Sequence, residues 1–263
     1  YDKMGSINSQ KAQKIQSILA LPSNFKKITC STCDMTYNPH ISQDKLLHNK
    51  YHTNFINGIP WNYKTDNDVL IIENFTLVET PKLNSTGKSL KLTKTRQTFK
   101  GSIICINKSN KRHIQKVELL LNMVNQELNA SQDSGQWKKP EFDRSKAFVI
   151  IIDSKAIGLC TTDTIQPDQG RWMIHKTQSI VPNQINKNVV IGISRIWISR
   201  KWRQYGLGKK LLNVVLKNSI YSVQLLKNQV AFSQPSFSGG MLAKSFNGVK
   251  HKSGEMLLPV YIE

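Results

Sequence analysis

Four residues early in the chain, Cys30, Cys33, His48 and His52, stand at the spacing Cys-x2-Cys-x14-His-x3-His. Two thiolates from a tight turn and two imidazoles one helical turn apart are the ligands that tetrahedral zinc prefers. A second constellation lies far downstream. There the apolar run 191–198 passes through a basic turn into Gly206-Leu-Gly208, then Lys209, Lys210 and an apolar helix. The glycines let the backbone approach a ligand with no Cβ in between, and the first turn of a helix offers N–H groups and its positive dipole end to an anion. The chemistry on offer is structural metal binding in one place and phosphate binding in the other. The downstream turn lacks both the six-residue dinucleotide fingerprint and a Gly-Lys-Ser/Thr ending, which argues against a nucleoside triphosphate.

Bulk properties agree with an anionic ligand. Across 263 residues, 37 Lys and Arg face 17 Asp and Glu, giving a formal charge of +20 and a pI near 9.9. Such an excess favours nucleic acid, phosphate-bearing cofactors or acidic protein surfaces. No run approaches the length of a membrane span and no apolar signal core opens the chain, which disfavours insertion and secretion. Four cysteines, two of them in the Cys-x2-Cys pair, point to a reducing compartment with metal rather than disulfides.

The elements that must position these residues follow from periodicity. Residues 1–27 read as a flexible basic arm. Its Gln16-x-x-Leu19 pair is a partial match to peptides that dock on the replication sliding clamp, without their paired aromatics. Residues 28–56 read as a ββα finger, with Tyr37, Leu46 and Leu47 as the apolar plug beneath the metal and Gln43, Asp44 and Lys45 on the helix where base edges are read. One finger covers only about three base pairs, so a protein-docking or structural finger is at least as good a reading as a DNA contact. Residues 57–101, rich in Lys, Thr, Ser and Asn, read as a linker. Beyond it, 102–106 is a strand, and Ile114, Val117, Leu121, Val124 and Leu128 set one buried helix face. Residues 147–152 and 156–161 form a hairpin across Asp153-Ser154, residues 170–174 a strand, and a loop surrounds Pro182. A strand to Ile198, the glycine turn and its helix, a strand at 229–233, a helix through Phe246 and a strand at 257–262 complete the chain.

The spacing Arg203-x-x-Gly206-x-Gly208 resembles the pyrophosphate loop of GNAT-fold acetyltransferases. Over roughly residues 25–55 and 102–263 the chain is similar to the cohesin acetyltransferases, which establish sister-chromatid cohesion. That resemblance rests on the four zinc-type ligands, on Gly170-Arg-Trp-Met, Gly192-Ile-Ser-Arg-Ile-Trp-Ile198, Ala231-Phe-Ser-Gln-Pro235 and His251-Lys-Ser-Gly254. It implies an α/β fold, a GNAT-type mixed sheet flanked by helices over 102–263, preceded by the Cys2His2 finger. It further implies acetyl transfer from acetyl-CoA to lysines of the cohesin ATPase head, in the nucleus, during DNA replication, with zinc as a structural ion and no membrane partner. A slot for the pantetheine arm between the central strand and its successor also comes from the resemblance.

Carried over residue by residue, backbone groups of Ile196, Trp197 and Ile198 would meet the acetyl and pantetheine portion. Arg203, Gln204, Tyr205, Gly206, Leu207, Gly208 and Lys209 would take the pyrophosphate, and Ser236, Phe237 and Ser238 would flank the cofactor's other side. The bland readings stand beside these: Trp197 as core, and 236–238 as a helix cap. Some members of the family carry an acid where this chain has Gln234, so a direct base there is in doubt. From 169 to 254 there is no Asp or Glu against fourteen Lys and Arg. The acids that sequence places near the slot are Asp153, Asp163, Asp168 and Glu255, with the imidazoles of His175 and His251. Positive potential together with water or a substrate carboxylate then replaces a dedicated base, because like charge lowers an arriving lysine's pKa. Ser194 and Ser233 either orient the amine or a water, or satisfy neighbouring backbone, and Lys227 is placed to meet an acidic substrate loop. Cys160 in a strand reads as a buried thiol, which favours direct over ping-pong transfer. Competing readings are a histone or chromatin acetyltransferase and a non-catalytic zinc-finger chromatin tether.

Overall fold

The computed structural model describes residues 26–62, 68–78, 96–130, 136–138 and 144–262. A short hairpin, β1 (Ile28–Thr29) and β2 (Thr36–Tyr37), leads into α1 (Ser42–Asn57), and the helix stops at Gly58 with φ 88°. A Cβ at Gly58 would also lie 2.5 Å from the Ala156 carbonyl oxygen, so both backbone angle and space require glycine. Next come β3 (Ile59–Pro60), β4 (Val69–Val78), β5 (Arg96–Cys105) and α2 (Lys111–Leu128). Asn110 caps α2 by accepting from the His113 N–H, and the helix buries Val117, Leu120, Leu121, Met123 and Val124, the stripe its three- and four-residue spacing predicts.

β6 (Ala147–Ile152) is apolar at every position and wholly buried, as a strand covered on both faces must be. It turns through Asp153 and Ser154, both at positive φ, into β7 (Lys155–Thr164), a two-residue turn whose twist matches the strands it joins. β8 (Gly170–Ile174), β9 (Ser179–Ile185), β10 (Ile191–Ile198), α3 (Leu207–Asn218), β11 (Val230–Ser233), α4 (Phe237–Asn247), β12 (Val249–Lys250) and β13 (Met256–Tyr261) follow. Apart from the finger hairpin, the strands form one sheet in the order β4-β5-β6-β7-β10-β11-β13-β8-β9, with β12 beside β13 and β3 beside β7. Its two parallel pairings, β10 with β11 and β11 with β13, are the places where α3 and α4 serve as crossovers.

Two apolar cores sandwich the sheet. One packs α3 and α4 against residues such as Ile150, Ile191 and Phe232. The other packs α2 with Trp137, Trp197 and Ile104, and it includes Cys33 and Phe55 of the finger and Ile59 and Trp61 after it. The finger is thereby joined to the larger unit by burial as well as by chain.

Three sequence expectations are corrected. The stretch 57–101 is not a linker in its described part: β3 pairs with β7, and β4 pairs with β5 from Val69–Ile104 to Val78–Arg96. Its Lys, Thr, Ser and Asn content misleads because it is concentrated in 79–95, outside the described residues, whereas β4 itself is mostly apolar. The loop around Pro182 is strand β9, an edge strand with little burial, which is where proline is tolerated in a sheet. Leu46 and Leu47 are not a plug, being 67% and 49% exposed, because α1 turns His48 and Phe55 inward instead. The arm's Gln16 and Leu19 lie outside the described residues.

Gly101 tests whether the β4–β5 hairpin belongs to the core, since a Cβ there would lie 2.5 Å from the Phe75 ring and 2.8 Å from Ile152. Gly101→Val is expected to lower stability by about 1–3 kcal/mol through overpacking, read by urea unfolding. A parent-like midpoint would show that Phe75 does not close over this strand.

Candidate active site and metal centre

The finger gathers its four ligands on one spot. The donor atoms of Cys30, Cys33, His48 and His52 all lie within 4.8 Å of one another. Four tetrahedral ligands at about 2.0–2.3 Å from one ion lie about 3.3–3.8 Å apart, so small side-chain movements bring all four onto one ion. Both ring nitrogens of His48 are buried without a hydrogen-bond partner, as suits a ligand pointing at a metal. Tyr37 stacks on that ring at 3.9 Å and 4°, fixing its plane. Backbone N–H groups of Cys33 and Thr32 lower the Cys30 thiol to about 5, whereas burial raises that of Cys33. The donor set fits zinc, which these residues would hold as a structural ion. Asp44, read as a base-edge residue, accepts from the Asn38 N–H at 3.2 Å and so belongs to the finger's own turn.

The finger leans on the basic turn that leads to the glycines. Arg200, in the short 3-10 turn Arg200–Trp202, lies 4.9 Å over the Phe55 ring and 3.6 Å from the Asp34 carboxylate. After that turn, Gln204 takes φ 67° and Gly206 φ 77°. Gly206 is the N-cap of α3 and has no side-chain cap, so the first N–H groups of the helix are offered outward.

The central strands then separate. β10 pairs with β11 at Ile191–Val230, Gly192–Ala231 and Ile193–Phe232 and no further, although β10 continues to Ile198. A bulge in the pairing with β7 falls between Ile193 and Arg195 at the same level. Two cavities open from this fork. One, of about 440 Å³, is lined by Ser194, Ser233, Gln234 and Tyr261. The other, of about 500 Å³, is lined by Trp197, Ile198, Arg203, Gln204, Gly206, Leu207, Gly208, Lys209 and Ser238. Leu128, Ile196, Ser236 and Gly239 line both, so the two meet at the fork.

Most residues singled out from sequence come together here, with two exceptions. Tyr205 packs against the α3–α4 core, and Phe237, 76% exposed, faces a different cavity with His175, Lys176 and Glu255. Ser236 accepts from the Gly239 N–H at 3.3 Å, so it caps α4 and also lines both cavities. Trp197 is core and site at once, buried among the α2-face residues while bordering the larger cavity. Ser194 Oγ lies 2.8 Å from Thr161 Oγ1. Lys210 turns away to pair with Glu73 on β4.

The acids are distributed differently from the sequence reading. Asp153 and Asp168 are exposed in turns, and Glu255 faces the Phe237 cavity. Asp163 accepts from the Tyr261 hydroxyl at 2.6 Å, which brings it to the back of the fork. The acid in the wall of the larger cavity is Glu127, at the end of α2, which sequence reasoning missed because it is 70 residues before Trp197 and farther still from the glycine turn. His251 bonds Ser253 within its own turn, and Cys160 is fully buried, its thiol raised by desolvation.

A mixed sheet whose central parallel strands part above an uncapped helix start, with a cavity on each side of the fork and a Cys2His2 finger alongside, defines a GNAT-type acetyltransferase with a zinc finger. Comparison with known proteins narrows the class. The family model described as ESCO1/2 acetyl-transferase matches residues 187–256, and that described as the zinc-finger of acetyl-transferase ESCO matches 16–54. The N-acetyltransferase ECO1 of Debaryomyces hansenii is 47% identical over 97% of this chain and 90% of its own length. That of Saccharomyces cerevisiae is 33% identical over 96% of each. A solved structure described as the xEco2 acetyltransferase domain bound to a CoA conjugate shares the fold, with TM-score 0.50 and 20% identity over 62% of this chain and 92% of that one. The chain belongs to the ECO1/ESCO N-acetyltransferase family, and is an acetyl-CoA-dependent enzyme with a structural zinc site. Among the described residues no helix is long and apolar enough to cross a membrane.

Because Cys33 and Phe55 belong to the α2-face core, losing the metal affects more than the finger. His52→Ala is expected to abolish stoichiometric zinc in metal analysis, to open 28–57 to limited proteolysis and to lower the melting temperature by several degrees. Structural zinc contributes on the order of 10 kcal/mol to isolated finger peptides. Full zinc content with unchanged proteolysis would exclude His52 as a ligand.

Proposed function

We propose that this enzyme acetylates lysines of the cohesin ATPase head in the nucleus, establishing sister-chromatid cohesion during DNA replication. The observation that carries the reading is the fork itself: two cavities that meet where β10 and β11 part give an acyl donor and an amine acceptor separate approaches to one point. The homologues named N-acetyltransferase ECO1 support the choice of substrate class.

In this reading Ile196, Trp197 and Ile198 hold the acetyl and pantetheine portion along the unpaired edge of β10. Arg203, Gln204, Gly206, Leu207, Gly208 and Lys209 take the pyrophosphate on the N–H groups that open α3, with Ser236 and Ser238 on the facing wall. Ser194, Ser233 and Gln234 border the acceptor side. A lysine ammonium has a pKa near 10.4, so it must lose a proton before its nitrogen attacks the thioester carbonyl and expels the CoA thiolate. The surrounding Lys and Arg favour that loss by like-charge repulsion, and water or a substrate carboxylate accepts the proton. The exposed face of the finger helix and the basic arm are assigned contacts with chromatin or the replication sliding clamp.

Two measurements bear on this. Incubation with acetyl-CoA and purified cohesin heads, nucleosomes or buffer, followed by mass spectrometry, is expected to show acetyl-lysine on the cohesin head well above the other two. Preference for nucleosomes would identify a histone enzyme instead, and no transfer at all a tether. Gly206→Val places a β-branched residue at φ 77°, and Gly208→Leu brings a side chain into the cavity beside Leu242. Strain of about 1–3 kcal/mol at such a position is expected to weaken acetyl-CoA binding roughly tenfold or more in calorimetric titration. Parent-like affinity in both folded variants would remove the loop from the cofactor site.

A further inference from the structure

We infer that Glu127 is a positioning residue that sets the acetyl-CoA cradle before the cofactor arrives. The inference rests on reading the larger cavity as the acetyl-CoA site. Glu127 lies in the last turn of α2, where the negative end of the helix dipole disfavours a carboxylate, and its side chain is only 14% exposed. A buried acid at that end persists when strong donors compensate it, and two do. The Trp197 indole N–H donates to one carboxylate oxygen at 2.5 Å, and Arg203 Nη2 donates to the other at 2.7 Å. Arg203 is fixed a second time, its Nε donating to the Ile198 carbonyl at 2.7 Å.

These bonds tie together three parts of the cavity wall that are distant in sequence: the end of α2, the unpaired half of β10, and the entry to the glycine turn. Arg203 is held by two acceptors and keeps further N–H groups to offer an anion. A loop fixed in this way loses less conformational freedom when it binds, which appears as affinity. The indole N–H of a buried tryptophan also requires an acceptor, so Glu127 keeps the Trp197 backbone in register along the cavity. With each oxygen already accepting a charged or buried donor, the carboxylate acts on the cradle, and proton removal from the lysine proceeds elsewhere.

Glu127→Gln preserves size but turns an NH2 toward one of the two donors. The expected result is a rise of roughly tenfold in the acetyl-CoA Kd, with kcat at saturating acetyl-CoA within about twofold of the parent and full zinc content. Arg203→Lys, which breaks the same pair from the loop side, is expected to raise Kd as well, and the double variant to be no worse than the poorer single one. An unchanged Kd in folded Glu127→Gln overturns the inference. So does a large fall in kcat at constant Kd, which would make Glu127 the proton acceptor, and so do additive effects in the double variant. If Glu127→Gln does not fold, Trp197→Phe, which deletes only the indole donor to this carboxylate, is titrated instead, and a parent-like Kd overturns the inference equally. A parent protein that binds no acetyl-CoA would overturn the cavity assignment itself, an outcome distinct from any failure confined to the variants.

Discussion

The structure depends on one interruption: the parallel ladder between β10 and β11 ends at Ile193 and Phe232 while β10 continues for five more residues. Backbone groups left without a ladder partner are costly unless something else pairs with them, and a ligand laid along the strand is one such partner. The rest of the sheet explains how this is sustained. β6 and β7 are buried and antiparallel on one side of β10, and β13 and β8 hold β11 on the other, so the two halves diverge while each keeps its own ladder. The bulge beside Ser194 helps re-aim β10 where the strands separate.

Electrostatics follow from that arrangement. An uncapped helix start after a glycine, set in a segment of fourteen Lys and Arg with no acid, presents positive potential and unpaired N–H groups. The acid that borders the site reaches it from another element, Glu127 from α2, and Asp163 on β7 lies behind Tyr261; each is already engaged by a named donor. The finger adds a mechanical element. Its Cys33 turn is buried in the α2-face core and its helix braces Arg200, three residues before Arg203, so the metal site and the turn leading to the glycines share one piece of packing.

What was legible in the sequence was local. The spacing of Cys30, Cys33, His48 and His52, the apolar period of α2, the uninterrupted apolar run of β6 and the glycines at 206 and 208 each report on a few neighbouring residues, because ligand geometry, helix pitch, double-sided burial and positive φ are local constraints. The same locality misread β9, while β4 and the first half of β5 were grouped with the polar stretch 79–95 between them. Edge strands bury little and tolerate polar residues and proline, so their composition resembles that of a loop. Phe237 and Tyr205 were placed with the cofactor by adjacency to residues that do line the cavity, but the direction of a side chain is set by what packs around it.

The sequence by itself determined the Cys2His2 ligand set, the glycine turn into α3, the order of the buried elements and the excess of positive charge, since these depend on residue type and short spacing. Only the tertiary structure decided where the central strands part, that the finger packs into the core, and that the carboxylate in the wall of the larger cavity comes from the end of α2. Glu127 meets Trp197 and Arg203 across 70 and 76 residues of chain. No periodicity encodes such a contact, because it exists only once a helix has been laid across a sheet and the sheet has opened beneath it.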